Sequence, residues 1–154
     1  MVLDDRRVNK MLLESTQILA TSLILSGAPA AFIPVSKAGF MYRKTHERHP
    51  VVVWANSSSE RYEWLLSHTE ALANEFRIRF KKEHACAPSV RTLHSSVCFI
   101  KPGPLDGFHN CASNYKHIAN VHDAYKLELM YKWLNYKEGY PPTWNNTQVF
   151  PGWP

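Results

Sequence analysis

The stretch LDDRRVNKMLLESTQILATSLIL, from Leu3 to Leu25, places Arg7, Lys10, Glu14 and Gln17 at i, i+3, i+7 and i+10. On a helix turning about 100° per residue, these four fall within roughly 80° of one another. Val8, Met11, Leu12, Leu13, Ile18, Leu19, Leu23 and Ile24 occupy most of the remaining circumference. A helix apolar on most sides is expected to be buried. A buried Lys and Glu need partners or a task. Two chemistries suit the pair. Glu14 is a candidate general acid or base, its pKa set by burial and by the cations Lys10 and Arg7. Lys10, desolvated among leucines, is a candidate amine nucleophile of the kind that forms a Schiff base. A structural ion pair has the same spacing, so that alternative stays open.

A second cluster is Thr45-His46-Glu47-Arg48-His49-Pro50, preceded by Arg43 and Lys44. Two histidines three apart can share a metal, but no HExxH and no further nearby ligand completes a set. No metal and no cofactor are therefore expected. Arg43, Lys44, His46 and His49 suit a loop that contacts phosphates, and such histidines also cap helices. A third resource is aromatic: Trp54, Trp64, Trp133, Trp144 and Trp153. Aromatics beside basic residues stack on bases, although in a small helical protein most of them fill the core. His68 and Glu75 share a face with Leu65, Leu72 and Phe76, and are expected to turn inward as a pair.

The elements that must position these residues are legible from punctuation. Asp4 or Asp5 caps the first helix, and Gly27 with Pro29 ends it. Residues 26–41 read as a loop. Pro50 opens a short apolar helix over 50–56. Ser57 and Glu60 have capping-box spacing before a long helix over 59–82, whose end is basic. A helical patch is expected over 89–97, turn-rich chain follows, and a last helix runs over 122–135 with Tyr125, Leu129, Trp133 and Tyr136 on one stripe. The tail carries four prolines, and its aromatics should pack it back on the body. No repeat and no sustained alternation appears. The expected fold is all-α, a compact helical bundle with long irregular loops, forming a single domain over 1–154.

Composition sets the remaining bounds. At 154 residues, 45% hydrophobic and 20% charged, the chain is neither disordered nor a membrane bundle. Its net charge of +5 favours a polyanionic partner. Cys86, Cys98 and Cys111 form no CxxC pair and cannot all pair together, which points to a reducing, cytoplasmic setting. The apolar run from Met11 to Leu25 is interrupted by Glu14, Gln17 and several hydroxyls, so no membrane span and no membrane partner are expected.

Taken together, LDDRRVNKMLLESTQIL, THERHPVVVWA, YEWLLSHTEALANEFRIRFKKEH, NYKH, HDAYKLELMYKWLNY and PPTW resemble a group of mostly phage-encoded proteins labelled pyrimidine-dimer DNA glycosylase, or endonuclease V-like. The likeness extends over most of the chain and is weakest from Cys86 to Cys111. It implies a small α-helical enzyme that removes a damaged pyrimidine from DNA in the host cytoplasm and cleaves the strand through an amine-linked Schiff base. By that resemblance Glu14 is the counterpart of the family's helix-borne glutamate, with Arg7 and Lys10 as neighbouring cations. The family uses the amine exposed on removal of the initiator Met, well upstream of the glutamate. Here Met1 stands only about three turns before Glu14, so the candidate amines are Lys10 and the terminus at Met1 or Val2.

The expected function is thus a DNA-acting enzyme, a pyrimidine-directed glycosylase with AP-lyase activity. Two other classes fit the same residues. One is a nucleotide- or base-modifying enzyme of phage metabolism that binds a free pyrimidine nucleotide in a closed pocket. The other is a non-catalytic DNA-binding or host-interaction module, which in the latter case would expose an apolar patch. A DNA ligand would make binding steeply salt-dependent.

Overall fold

Asp4 takes an extended backbone conformation, and its carboxylate accepts the Arg7 N–H at 3.1 Å, so the chain turns into helix α1 (Asp5–Leu25). The helix ends at Gly27, in the left-handed region at φ +74°. There the Ala28 N–H reaches back to the Leu23 carbonyl at 3.0 Å and the Gly27 N–H to that of Ile24 at 3.2 Å, satisfying carbonyls the helix leaves open. Then follow α2 (Pro50–Asn56), α3 (Ser59–Phe80), α4 (Ala87–Leu93), which runs into a 3-10 turn over His94–Phe99, and α5 (Val121–Leu134). This computed structural model describes residues 3–146. Met1, Val2 and Trp153, which bear on the terminal amine and the tail, lie outside the described residues.

The fold is all-α. Among the described residues the sole strand-like pairing is one antiparallel bridge, Val35 to Met41. No described helix is long and apolar enough to cross a membrane. α1 lies along α3, with α2 and α4 against both. Val8, Leu12, Leu19 and Leu23 of α1 meet Trp54 of α2, Tyr62, Leu65, Leu72 and Phe76 of α3, and Val90 and Leu93 of α4. Each such side chain contributes about 1.5–3 kcal/mol by leaving water. Ser26 Oγ donates to Asn56 Oδ1 at 2.6 Å and ties the ends of α1 and α2 together.

Several expectations are corrected in detail. The capping box at Ser57 and Glu60 does not form. Ser58 is the N-cap residue, and its hydroxyl donates to the Pro104 carbonyl at 2.8 Å. The Glu60 carboxylate accepts the Leu105 N–H at 2.9 Å. The loop after residue 100 therefore takes the groups that would have served the helix end. α3 stops two residues early, at Lys81, which adopts the left-handed conformation at φ +54°. Tyr136 lies beyond α5 and is exposed, so it is not part of that helix's inner stripe. His68 and Glu75 do not pair with each other. His68 stacks on Trp64 at 5.4 Å, and Glu75 engages Arg79.

Arg79 organises the end of the bundle. Its guanidinium has no solvent exposure. It donates to Glu75 at 2.7 Å, to the Leu3 carbonyl at 2.7 Å and to Asp5 at 3.1 Å. Asp5 also accepts the Thr143 hydroxyl at 2.8 Å and the Asn145 N–H at 3.0 Å. The described part of the tail is thus held at Thr143 and Asn145, with Trp144 edge-on to Trp133 at 5.3 Å, while Tyr140 is exposed. Arg79→Ala leaves the buried Asp5 and the partly buried Glu75 without their cation, which costs about 3–5 kcal/mol. Thermal unfolding followed by circular dichroism should show Tm lowered by roughly 10 °C or more in a chain of this size. A fall below about 2 °C would mean that the cluster does not hold the bundle together.

Candidate functional site

The polar line on α1 is present, but it does not lie in a cleft. Lys10 Nζ and Glu14 Oε1 are 3.4 Å apart, with side chains 65% and 43% exposed. Arg6, Asn9 and Leu13 beside them are exposed as well. The expectation of a helix buried on most sides fails over its first half, because the helices that pack on α1 cover the Val8–Leu12–Leu19 side. Lys10 keeps its solvent, and an ion pair this exposed contributes under about 1 kcal/mol to stability. A concavity between α3 and α4, lined by Glu70, Asn74, Arg77 and Arg91, and a shallow one over His46–His49 include neither Lys10 nor Glu14.

Arg7 is turned toward the start of the helix. Its guanidinium pairs with Asp4, the same carboxylate that accepts the Trp133 Nε1–H at 2.7 Å. Arg7 therefore braces the N-cap and contributes its positive field to the line. Gln17 is half-buried two turns before the helix end. The next position in the series, Thr21, is the residue that sequence reasoning missed. Its Oγ1 accepts the Thr45 N–H at 3.2 Å. This contact pins the basic loop to the far end of the line that carries Lys10 and Glu14. The signal was available, since Thr21 continues the spacing 7, 10, 14, 17 by four.

Within that loop Arg43, Lys44 and Arg48 are exposed, and Lys44 reaches Glu47 at 3.2 Å. His46 adopts a left-handed backbone at φ +48° and is exposed. His49 is the N-cap of α2, its Nδ1 accepting the Val51 N–H at 3.3 Å. That bond leaves the ring proton on Nε2, the one nitrogen still able to donate to an anion. The described residues contain no cluster of three metal-ligating side chains.

The wall beside α1 is built by residues that no motif indicated. Asn9 Oδ1 meets His84 Nε2 at 3.0 Å, and His84 Nδ1 accepts the Cys86 N–H at 3.1 Å. The Tyr42 hydroxyl lies 3.7 Å from Cys86 Sγ, and burial pushes that phenol's pKa upward. The two bonds on His84 assign its proton to Nε2, and burial lowers its pKa. Among the tryptophans, Trp54 is a core aromatic whose Nε1 donates to the Asp106 carbonyl at 2.8 Å, while Trp64 packs edge-on to Trp54 and Phe108 yet stays exposed. His68, stacked on Trp64, also has its pKa lowered by burial.

Both lowered histidines act on stability in one direction. As pH falls, the unfolded chain takes up the proton first, so the stability present above the unfolded value of about 6.5 is lost below it. Tm should decline from about pH 7.5 to about pH 5.5. The decline should be shallower in His84→Gln. Superimposable profiles for this variant and the wild type would remove His84 from the account. No protein-family model, no curated protein and no solved structure matches the chain, so a functional reading rests on these residues.

Proposed function

We propose that this chain is a DNA-acting enzyme, a pyrimidine-directed glycosylase with AP-lyase activity, working from the open face of α1. The observation that carries the reading is the juxtaposition along one line of the Lys10–Glu14 pair, 3.4 Å apart, and the basic loop held by Thr21 and Thr45. An acid–base pair on an open surface, with cations at the end of its line, suits a polymer that lies across the helix. It suits a free nucleotide poorly, because a small ligand needs an enclosing pocket to bury its surface.

In the proposed reaction Glu14 takes a proton from the Lys10 ammonium. The freed amine attacks the sugar C1′, and the base leaves with the bonding electron pair and is protonated. The nitrogen gives up a proton and its lone pair opens the sugar ring: the C1′–O4′ bond breaks, O4′ takes the proton held by Glu14, and the C1′–N bond becomes the protonated imine that the lyase step requires. Arg7 adds positive field at the start of the line. Gln17, Arg43, Lys44, His46 and His49 Nε2 provide donors for phosphates.

Three measurements test this. Glu14→Gln keeps the shape and removes the base, so strand cleavage at a lesion should fall about a hundredfold or more with Tm unchanged, as the exposure of Glu14 requires. Borohydride should trap the protein on abasic DNA at Lys10. A cross-link at residue 1 or 2 would move the nucleophile to the terminus, and no cross-link with folded protein would reject the lyase. Replacing Arg43 and Lys44 with Ala should weaken binding to damaged and undamaged duplex alike and lower the salt slope by about one per lost contact.

A second reading, a non-catalytic interaction module, is favoured by the exposed row Leu127, Tyr131 and Leu134 on α5. Under it Glu14→Gln changes nothing, while Leu134→Glu abolishes partner binding.

A further inference from the structure

The turn over residues 34–42 is a braced ridge with an apolar crest. The Tyr42 N–H donates to the Pro34 carbonyl at 3.1 Å, and the Ser36 N–H to that of Phe40 at 2.8 Å, with Val35 bridged to Met41 between them. Gly39 makes the turn at φ +82°, a backbone conformation side chains disfavour. The base is anchored. Pro34 is buried, Tyr42 lies against Cys86, and the Ser89 hydroxyl donates to the Val35 carbonyl at 2.8 Å. The crest is not covered. Phe40 is 74% exposed, and Val35 and Met41 are each 51% exposed.

Charge identifies what such a crest would meet. From Val35 to His49 the chain carries Lys37, Arg43, Lys44 and Arg48 against Glu47, four cations to one carboxylate. On the other exposed apolar row, that of α5, Lys126 and Lys132 are balanced by Asp123 and Glu128. Apolar groups set among unbalanced cations fit a polyanion that also offers apolar surface, and stacked bases between phosphate rows are such a surface.

We propose that Phe40, backed by Met41 and Val35, is a wedge that enters duplex DNA between base pairs, while Lys37, Arg43 and Lys44 hold the flanking phosphates. The inference rests on the reading of the chain as a DNA enzyme. An inserted ring offsets part of the cost of unstacking a step and kinks the duplex. An enzyme that attacks the sugar of one nucleotide must take its base out of the stack. Because the base of the hairpin is already fixed to α4, little ordering is needed on binding. The Thr45–Thr21 contact places the loop that follows the wedge at the end of the line bearing Glu14, so insertion and chemistry address one stretch of duplex.

The test uses the full chain and a duplex with 2-aminopurine next to a tetrahydrofuran abasic analogue, which resists Schiff-base formation. Anisotropy reports binding, and 2-aminopurine fluorescence reports unstacking. Wild type should bind and raise the fluorescence. Phe40→Ala, exposed and so neutral to folding, should lower affinity by about tenfold, the loss of one stacked ring, and abolish the rise. Phe40→Trp should restore it. A rise that persists undiminished in Phe40→Ala would overturn the wedge and leave the enzyme reading intact. Failure of the wild type to bind any duplex at low salt would overturn both. Binding to phosphatidylserine vesicles in that case would assign the ridge to a membrane surface.

Discussion

A guanidinium with no access to water holds together the region where three distant parts of the chain meet. Arg79 takes the Leu3 carbonyl and Asp5 from the start of α1, Glu75 from its own helix, and through Asp5 the segment Thr143–Asn145. Moving an arginine into a protein interior costs several kcal/mol, and only well-placed acceptors offset that. The acceptors of Arg79 come from the start of α1 and from α3, and the tail adds donors to Asp5, so the cluster is complete only when α1, α3 and Thr143–Asn145 are all in place. Asp4 extends the cluster to α5 through Trp133 and to Arg7 through its guanidinium.

This constraint sets which way α1 faces. With Asp5 held against the end of α3, Val8, Leu12 and Leu19 are committed to the core. Lys10 lies about 160–200° around the helix from Val8 and Leu12, so it is directed outward. The Lys10–Glu14 pair therefore contributes little to folding and is available to a partner. One ion cluster is buried and holds the fold, and the other is left in water. The proposed function depends on the second set.

The second wall of the site is held differently. His84 joins α1 to α4, Cys86 and Ser89 join α4 to the hairpin, and Thr45 returns the chain to α1. These are hydrogen bonds to backbone and to small side chains, not large apolar contacts. They fix the position of a basic loop and an exposed apolar crest that contribute almost nothing to the core. Placing such residues on a braced loop keeps them at a defined position while leaving their side chains in water.

The helices were readable because their signals are local. Asp4, Gly27 and Pro50 mark boundaries through bonds spanning only a few residues, and all three act where the pattern places them. The line Arg7, Lys10, Glu14 and Gln17 follows from helical periodicity alone. What periodicity does not contain is the direction each face takes once other elements compete for it. Apolar residues on most sides of α1 suggested burial, yet one face of its N-terminal half is open, because the partners of Leu13 and Lys10 would have had to come from elsewhere in the chain. Likewise Ser57 and Glu60 have the spacing of a cap, but a loop more than forty residues away takes Glu60 and Ser58 instead. Arg79 and His84 carried no signal as bridging residues, since their partners are 74 and 75 residues distant, whereas Thr21 was marked by the helical spacing but its partner Thr45 was not. Sequence by itself determined the helices and the line of charged and polar residues along one of them. Tertiary structure decided which charges are buried, which are open to a partner, and which loop stands beside them, because those depend on groups that meet only after folding.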